Sequence, residues 1–296
     1  ALSKELARRF SIRACGYLPR LPDCALESRH LGLVTAQEVS DLKEKMQRLA
    51  RAAEQTLDFD ALMEIAKSAP PLSFAPPELP KPGASVRVGV ARDKAFCFFY
   101  EDSLALLRKL GAELVDFSPL TGEALPESLQ GLYLPGGYPE LYAEALSQNE
   151  AMRESIRKAV IGGLPCIAEC GGFMYLTEKI GGFPMAGALK GVCFDTGKLT
   201  RFGYVTLTAQ KDNLLCRAGE QIPAHEFHHW DAEAPGEDFL AEKPSGRSWL
   251  CAHASKTLYA GFPHFHFYAN PSFAVRFLDA CRKESCHAER PQAHGD

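Results

Sequence analysis

From residue 86 onward the sequence predicts an α/β protein, a mostly parallel sheet covered by helices on both faces. Three observations carry this. Short apolar runs alternate with stretches of helical period over residues 86–180. Glycines close the segments, at Gly111, Gly136-Gly137 and Gly162-Gly163. One apolar run also passes directly into a helical pattern through Leu164-Pro165-Cys166-Ile167-Ala168-Glu169-Cys170-Gly171-Gly172-Phe173-Met174.

The 296 residues give ample material for a core. A net charge of −4 offers no electrostatic reason to expect nucleic acid or a membrane surface. No apolar stretch approaches the ~20 residues that cross a bilayer, and no signal-peptide core opens the chain. The ten cysteines are scattered and form no C-x-x-C pair, which favours reduced thiols and a cytoplasmic setting.

Taken in order, Leu2, Leu6 and Phe10 share one face of a short helix, and residues 13–18 can follow as a strand. Thr35-Ala36-Gln37-Glu38 reads as a capping box for a helix carrying Val39, Leu42, Met46 and Leu49, with further helical turns near residues 59–65. Six prolines between residues 69 and 85 make a stiff linker and mark a domain boundary. Strands are expected at 86–91, 113–117, 131–134 and 164–168. Helices are expected around Leu104 to Leu110, at 140–146 and at 150–160, and a further one from Cys170 until Gly181-Gly182 stops it. Shorter strands follow, clearest at 202–208 and 249–254, then a last helix at 273–281. The polar tail from Glu284 is expected to be disordered.

Functional side chains of such a sheet gather beyond the carboxyl ends of its strands, where Gly136-Gly137 and Cys170 fall. Cys170 sits where a strand turns sharply into a helix, the geometry of a nucleophile elbow. A thiolate is the working nucleophile, and glycines behind it leave N–H groups open to an oxyanion. Cys166, inside the apolar run, reads better as a small core residue. His225-Glu226-Phe227-His228-His229 matches H-E-x-x-H letter for letter, but that zinc motif works only on a helix. Pro223 and Pro235 bracket it, and a strand would set His225 and His229 ~13 Å apart. No metal site is expected; the segment reads as a polar strand whose His225, Glu226 and His228 line a pocket. Gly191 to Leu199 is a near-miss for a phosphate loop, with one residue too many between its glycines and Leu199 in place of Ser or Thr. In Phe262-Pro263-His264-Phe265-His266-Phe267, a histidine late in the chain is a candidate base for the earlier cysteine.

Ala91 to Asp102, Pro135-Gly136-Gly137-Tyr138-Pro139-Glu140, Glu169-Cys170-Gly171-Gly172, His225-Glu226-Phe227-His228 and His264-Phe265-His266-Phe267 occur in that order. Together they resemble the cobyrinate a,c-diamide synthase family, the CbiA/CobB group of cobalamin-pathway amidotransferases. The resemblance implies a flavodoxin-like class I glutamine amidotransferase domain at residues 86–283 and a disordered tail at 284–296. Residues 1–75 resemble the end of the family's P-loop, dethiobiotin-synthetase-like domain, joined by a linker at 76–85. Implied roles are Cys170 as nucleophile, His264 as base and acid, Gly137 and Gly171 as oxyanion donors, and Tyr138, His225, Glu226 and His228 in the substrate pocket. Implied partners are L-glutamine and cobyrinate or a related corrinoid, with hydrogenobyrinate and nickel-sirohydrochlorin as alternative acceptors. A second copy or a separate synthetase segment is the expected protein partner. The family uses ATP and Mg2+, but its P-loop has no counterpart in this sequence, so an inactive remnant is the contrary expectation. A second departure is His266, standing where class I amidotransferases carry the glutamate of a triad.

Overall fold

The computed structural model describes residues 2–10, 12–29, 32–33, 36 and 38–288. The chain divides into two compact units, Ala1–Glu78 and Leu79–Asp296.

In the first unit, helix α1 (Leu2–Arg9) is followed by a 3-10 turn (Pro22–Cys24) and a two-stranded ribbon of β1 (Ser28–Arg29) and β2 (Gly32–Leu33). Helices α2 (Leu42–Thr56) and α3 (Phe59–Lys67) complete it. The strand expected at residues 13–18 does not form. Gly16 makes only an isolated bridge to Leu57, because its backbone lies directly against Thr56. Thr35 and Gln37 of the expected capping box lie outside the described residues, and α2 starts at Leu42 rather than Val39. At α3 the cap is Asp58, whose Oδ1 accepts the Ala61 N–H at 2.9 Å. Residues 70–83 form neither helix nor strand.

The second unit begins with β3 (Val86–Ala91), α4 (Glu101–Lys109), β4 (Ala112–Phe117), β5 (Gly131–Leu134), α5 (Ala143–Gln148), α6 (Glu150–Ile161), β6 (Cys166–Glu169) and α7 (Gly171–Leu176). Strands β7 (Lys179–Ile180), β8 (Phe183–Pro184), β9 (Val192–Asp195), β10 (Arg201–Ala209), β11 (Gln221–His228), β12 (Trp230–Ala232), β13 (Phe239–Glu242) and β14 (Ser248–Cys251) follow. The chain then returns through β15 (His253–Ala254), β16 (Leu258–Gly261) and β17 (His264–Phe265) to α8 (Pro271–Ala288).

The central sheet has the order β15-β16-β6-β5-β3-β4, parallel throughout except for edge strand β15. Its inner strands β3, β5 and β6 are buried on both faces, and alternate side chains enter two cores. Val86, Val88, Val90, Tyr133 and Ile167 point to one side; Ala91, Leu132, Leu134, Cys166 and Ala168 point to the other. Helices α5, α6 and α7 cover the second side, as the periodicity predicts. The first side departs from the expectation of helices alone. There α4 and α8 share the core with Val205, Leu207, Phe239 and Ala241 of an antiparallel sheet, β14-β13-β10-β11-β17.

Three further expectations shift. The helix after Cys170 ends at Leu176, and Ile180 enters the small sheet β12-β9-β7-β8 instead of a fourth turn. The strand expected over 249–254 breaks at Ala252, whose φ of 59° is incompatible with a continuous ladder. Helix α8 continues past Cys281 to Ala288, through the start of the segment expected to be disordered; residues 289–296 lie outside the described chain. No described helix is long and apolar enough to cross a membrane.

Candidate active site

Glu169 stands at the carboxyl end of inner strand β6, and the backbone reverses at Cys170 with φ 47° and ψ −103°. A side chain other than glycine in that region stores strain, and such strain persists only where the surroundings enforce it. Two hydrogen bonds do so: the Cys170 N–H donates to the Gly261 carbonyl at 2.7 Å, and the Cys170 carbonyl accepts from the Met174 N–H at 2.9 Å. Two glycines make the turn sterically feasible. A Cβ on Gly172 would lie 2.0 Å from the Leu134 oxygen, and one on Gly171 would lie 2.8 Å from the Pro139 ring and 3.0 Å from the Gly137 nitrogen. The loop after β5 thus presses its Gly137 N–H against the start of α7.

The Cys170 side chain is 6% exposed. Burial pushes its thiol well above the usual range, and Glu140 pushes the same way, while the Gly171 N–H draws it back. A neutral thiol of this kind needs a base. His264 enters on β17, opposite His225 of β11 in the antiparallel ladder. Its ring stacks on His225 at 5.1 Å, meets Phe98 edge-on at 4.9 Å and lies over the Gly136 backbone, where a Cβ would come within 2.5 Å. Burial lowers its pKa to about 4, so the imidazole is neutral near pH 7 and free to take a proton. Its Nδ1 lies 3.2 Å from Oε2 of Glu169. His266, the other candidate in the motif, turns away to pair with Asp102 at 2.9 Å.

The structure therefore sets Gly137 against Gly171, the residue after Cys170, and lays the His264 ring over Gly136 and beside Glu169. It splits the remaining group. His225 joins the active-site wall with Phe98 and Tyr100, whereas Glu226 and His228 occupy the opposite, buried face of β11. There Glu226 lies 3.9 Å from Arg201 and 4.0 Å from His228, and burial raises its carboxyl to about 7. His228 stacks on Phe262 at 4.0 Å and directs Nδ1 at the Trp230 carbonyl; burial lowers it to about 4. Tyr138 follows Gly137, with its N–H on the Ala95 carbonyl at 2.9 Å. The H-E-x-x-H segment is a strand, so His225 and His229 do not share a helical face, and among the described residues no group of three His, Cys, Asp or Glu side chains could hold a metal ion.

Glu169 is the residue that sequence reasoning passed over. Its signal was a lone carboxyl group ending an otherwise apolar strand.

Comparison with known proteins bears on this geometry directly. The profile of the CobB/CobQ-like glutamine amidotransferase domain matches residues 87–272, which include every residue of the elbow and the ladder carrying His264. The chain belongs to the CobB/CobQ-like glutamine amidotransferase family. Among curated relatives, proteins named cobyrinate a,c-diamide synthase are similar in sequence. The one from Caldanaerobacter subterraneus is 36% identical over 95% of this chain and 64% of its own length. That of Dehalococcoides mccartyi (strain 195) is 38% identical over 93% of this chain and 63% of its own length. The chain thus spans a little under two thirds of these relatives. Of solved structures, PurLQS from Thermotoga maritima aligns at a TM-score of 0.49 and 17% identity, covering 67% of this chain and 98% of its own, too distant to add to the family assignment.

Proposed function

We propose that this chain carries the glutaminase half of a glutamine-dependent amidoligase that converts the a- and c-carboxylates of cobyrinate to amides in cobalamin biosynthesis. The observation that carries the reading is the strained Cys170 elbow with a neutral, buried His264 and the Gly137 N–H beside it. His264 takes the thiol proton as Sγ attacks the glutamine side-chain carbonyl carbon. The resulting oxyanion is received by the Gly137 and Gly171 N–H groups. His264 then returns the proton to nitrogen, ammonia leaves, and water hydrolyses the thioester to glutamate. Tyr138 and His225 line the entrance to this site. The relatives' name supplies the acceptor, a corrinoid carboxylate, and the reduced, scattered cysteines fit a cytoplasmic enzyme.

Such an amidation requires ATP and Mg2+, and among the described residues the Gly191 to Leu199 segment does not fit them. The near-miss phosphate loop forms β9 and a turn, with β10 rather than a helix after it, so it offers no anion-binding helix start. The activating site belongs to a synthetase segment or a partner that brings its own P-loop.

The test is mass spectrometry after exposure to 6-diazo-5-oxo-norleucine, an electrophilic glutamine mimic. The adduct is expected on Cys170 and on no other cysteine. Labelling spread over several thiols, or absent from Cys170, would remove the glutaminase reading.

A further inference from the structure

The neutral imidazole of His264 can act as a base only if its proton sits on the nitrogen that faces away from the sulfur. Free imidazole chooses between its two nitrogens, so something must fix the tautomer. The glutamate that would do so in a triad is replaced by His266, which is engaged with Asp102 nearer the surface. Glu169 lies within reach instead. It is 2% exposed, ends a strand buried along its whole length, and aims Oε2 at Nδ1 of His264, itself 4% exposed. Burying a carboxyl group in such a strand is costly unless it is hydrogen-bonded, and its Oε1 has no hydrogen-bond partner. Its partners in the core are the Tyr133 hydroxyl and Nδ1 of His264.

We propose that Glu169 is the positioning residue of this site: its Oε2 accepts the Nδ1–H of His264 and thereby leaves the Nε2 lone pair for the Cys170 thiol proton. The assignment rests on the glutaminase reading and adds the third member of its machinery. The acid and the nucleophile are consecutive residues, on either side of the elbow. Burial holds Glu169 well above the usual carboxylate range, opposed by the neighbouring Tyr133 hydroxyl. An uncharged carboxyl still offers its carbonyl oxygen to Nδ1–H, so the contact does not depend on ionisation.

The experiment reads the tautomer and the chemistry separately. Two-bond nitrogen–proton NMR on the uniformly labelled chain at pH 7, with the His264 signal assigned by its loss in His264→Gln, should show a proton on Nδ1 and a bare Nε2. In Glu169→Leu, of similar size, Nδ1 has no acceptor and the proton should no longer be held there, so that the Nε2–H form appears. Glutamine turnover should then fall 100-fold or more in kcat with KM changed less than threefold, and Cys170 labelling should slow in parallel. A proton on Nε2 in the wild type, or a Glu169→Leu variant with unaltered tautomer and kcat, overturns the assignment. If wild-type Cys170 is never labelled, it is the glutaminase reading that fails, whatever the tautomer.

Discussion

Gly172→Ala is the most informative single substitution outside the reacting groups. The added methyl carbon would lie 2.0 Å from the Leu134 oxygen, 2.6 Å from its carbonyl carbon and 2.8 Å from its Cβ. An ordinary contact is about 3.5 Å, so α7 must retreat from β5 by more than ~1 Å. Leu134 cannot yield in its place, since β5 is held between β3 and β6 in the middle of the sheet. The retreat draws Gly171 away from Gly137 and tilts Cys170. A displacement of about 1 Å in such a site costs roughly 100-fold in rate, and overpacking of this kind costs about 1–3 kcal/mol in stability. Labelling of Cys170 by 6-diazo-5-oxo-norleucine, timed by mass spectrometry, and urea unfolding measure the two effects. A variant that labels at the wild-type rate with an unchanged unfolding midpoint would refute the claim that close approach of α7 to β5 builds the oxyanion site.

Acidification should act through the buried histidines. His228 and His264 are held by burial at about 4, below the unfolded value near 6.5. The unfolded chain therefore takes up their protons first, and stability falls as pH drops from 6.5 towards 4. Glu226, held at about 7 by burial, works in the opposite direction over pH 7 to 4.5. Urea unfolding across pH 4–7 should give a shallower decline for His228→Gln and a steeper one for Glu226→Gln; three equal slopes would contradict the burial argument. Phe262→Ala removes a ring packed on both His228 and Phe173, and should cost about 3–5 kcal/mol by chemical denaturation. In the first unit, Asp58→Ala removes the cap of α3 and should cost about 1 kcal/mol, read as faster amide exchange at Ala61 and its neighbours.

The central sheet was legible because its strands are short apolar runs closed by glycines. Strands β3 and β5 form over the residues that the pattern marks, 86–91 and 131–134. The antiparallel sheet was harder to place. Its long strands β10 and β11 mix polar and apolar residues, and nothing in their local pattern says which face of the parallel sheet they will cover. Ile180 misled for a related reason: helical spacing continues through it, but Thr177 ends the turn by returning its hydroxyl to the Met174 carbonyl at 2.7 Å. At the site, motif order singled out Cys170 and His264, which fall at the turn after β6 and on β17. The division of His225 from Glu226 follows from strand alternation once β11 is known to be a strand. Glu169 was hidden because the contact that gives it meaning spans 95 residues of sequence.

One rung of the parallel ladder has an implication for how the site tolerates change. Gly261 pairs with Glu169, receives the Cys170 N–H, and stands only three positions before His264. Sulfur and imidazole are therefore spaced by the mesh of two neighbouring strands, with just Phe262 and Pro263 as tether. Lengthening that tether by one residue would leave the sheet intact yet turn the imidazole off its mark, so this two-residue span should be among the least forgiving places in the chain for an insertion.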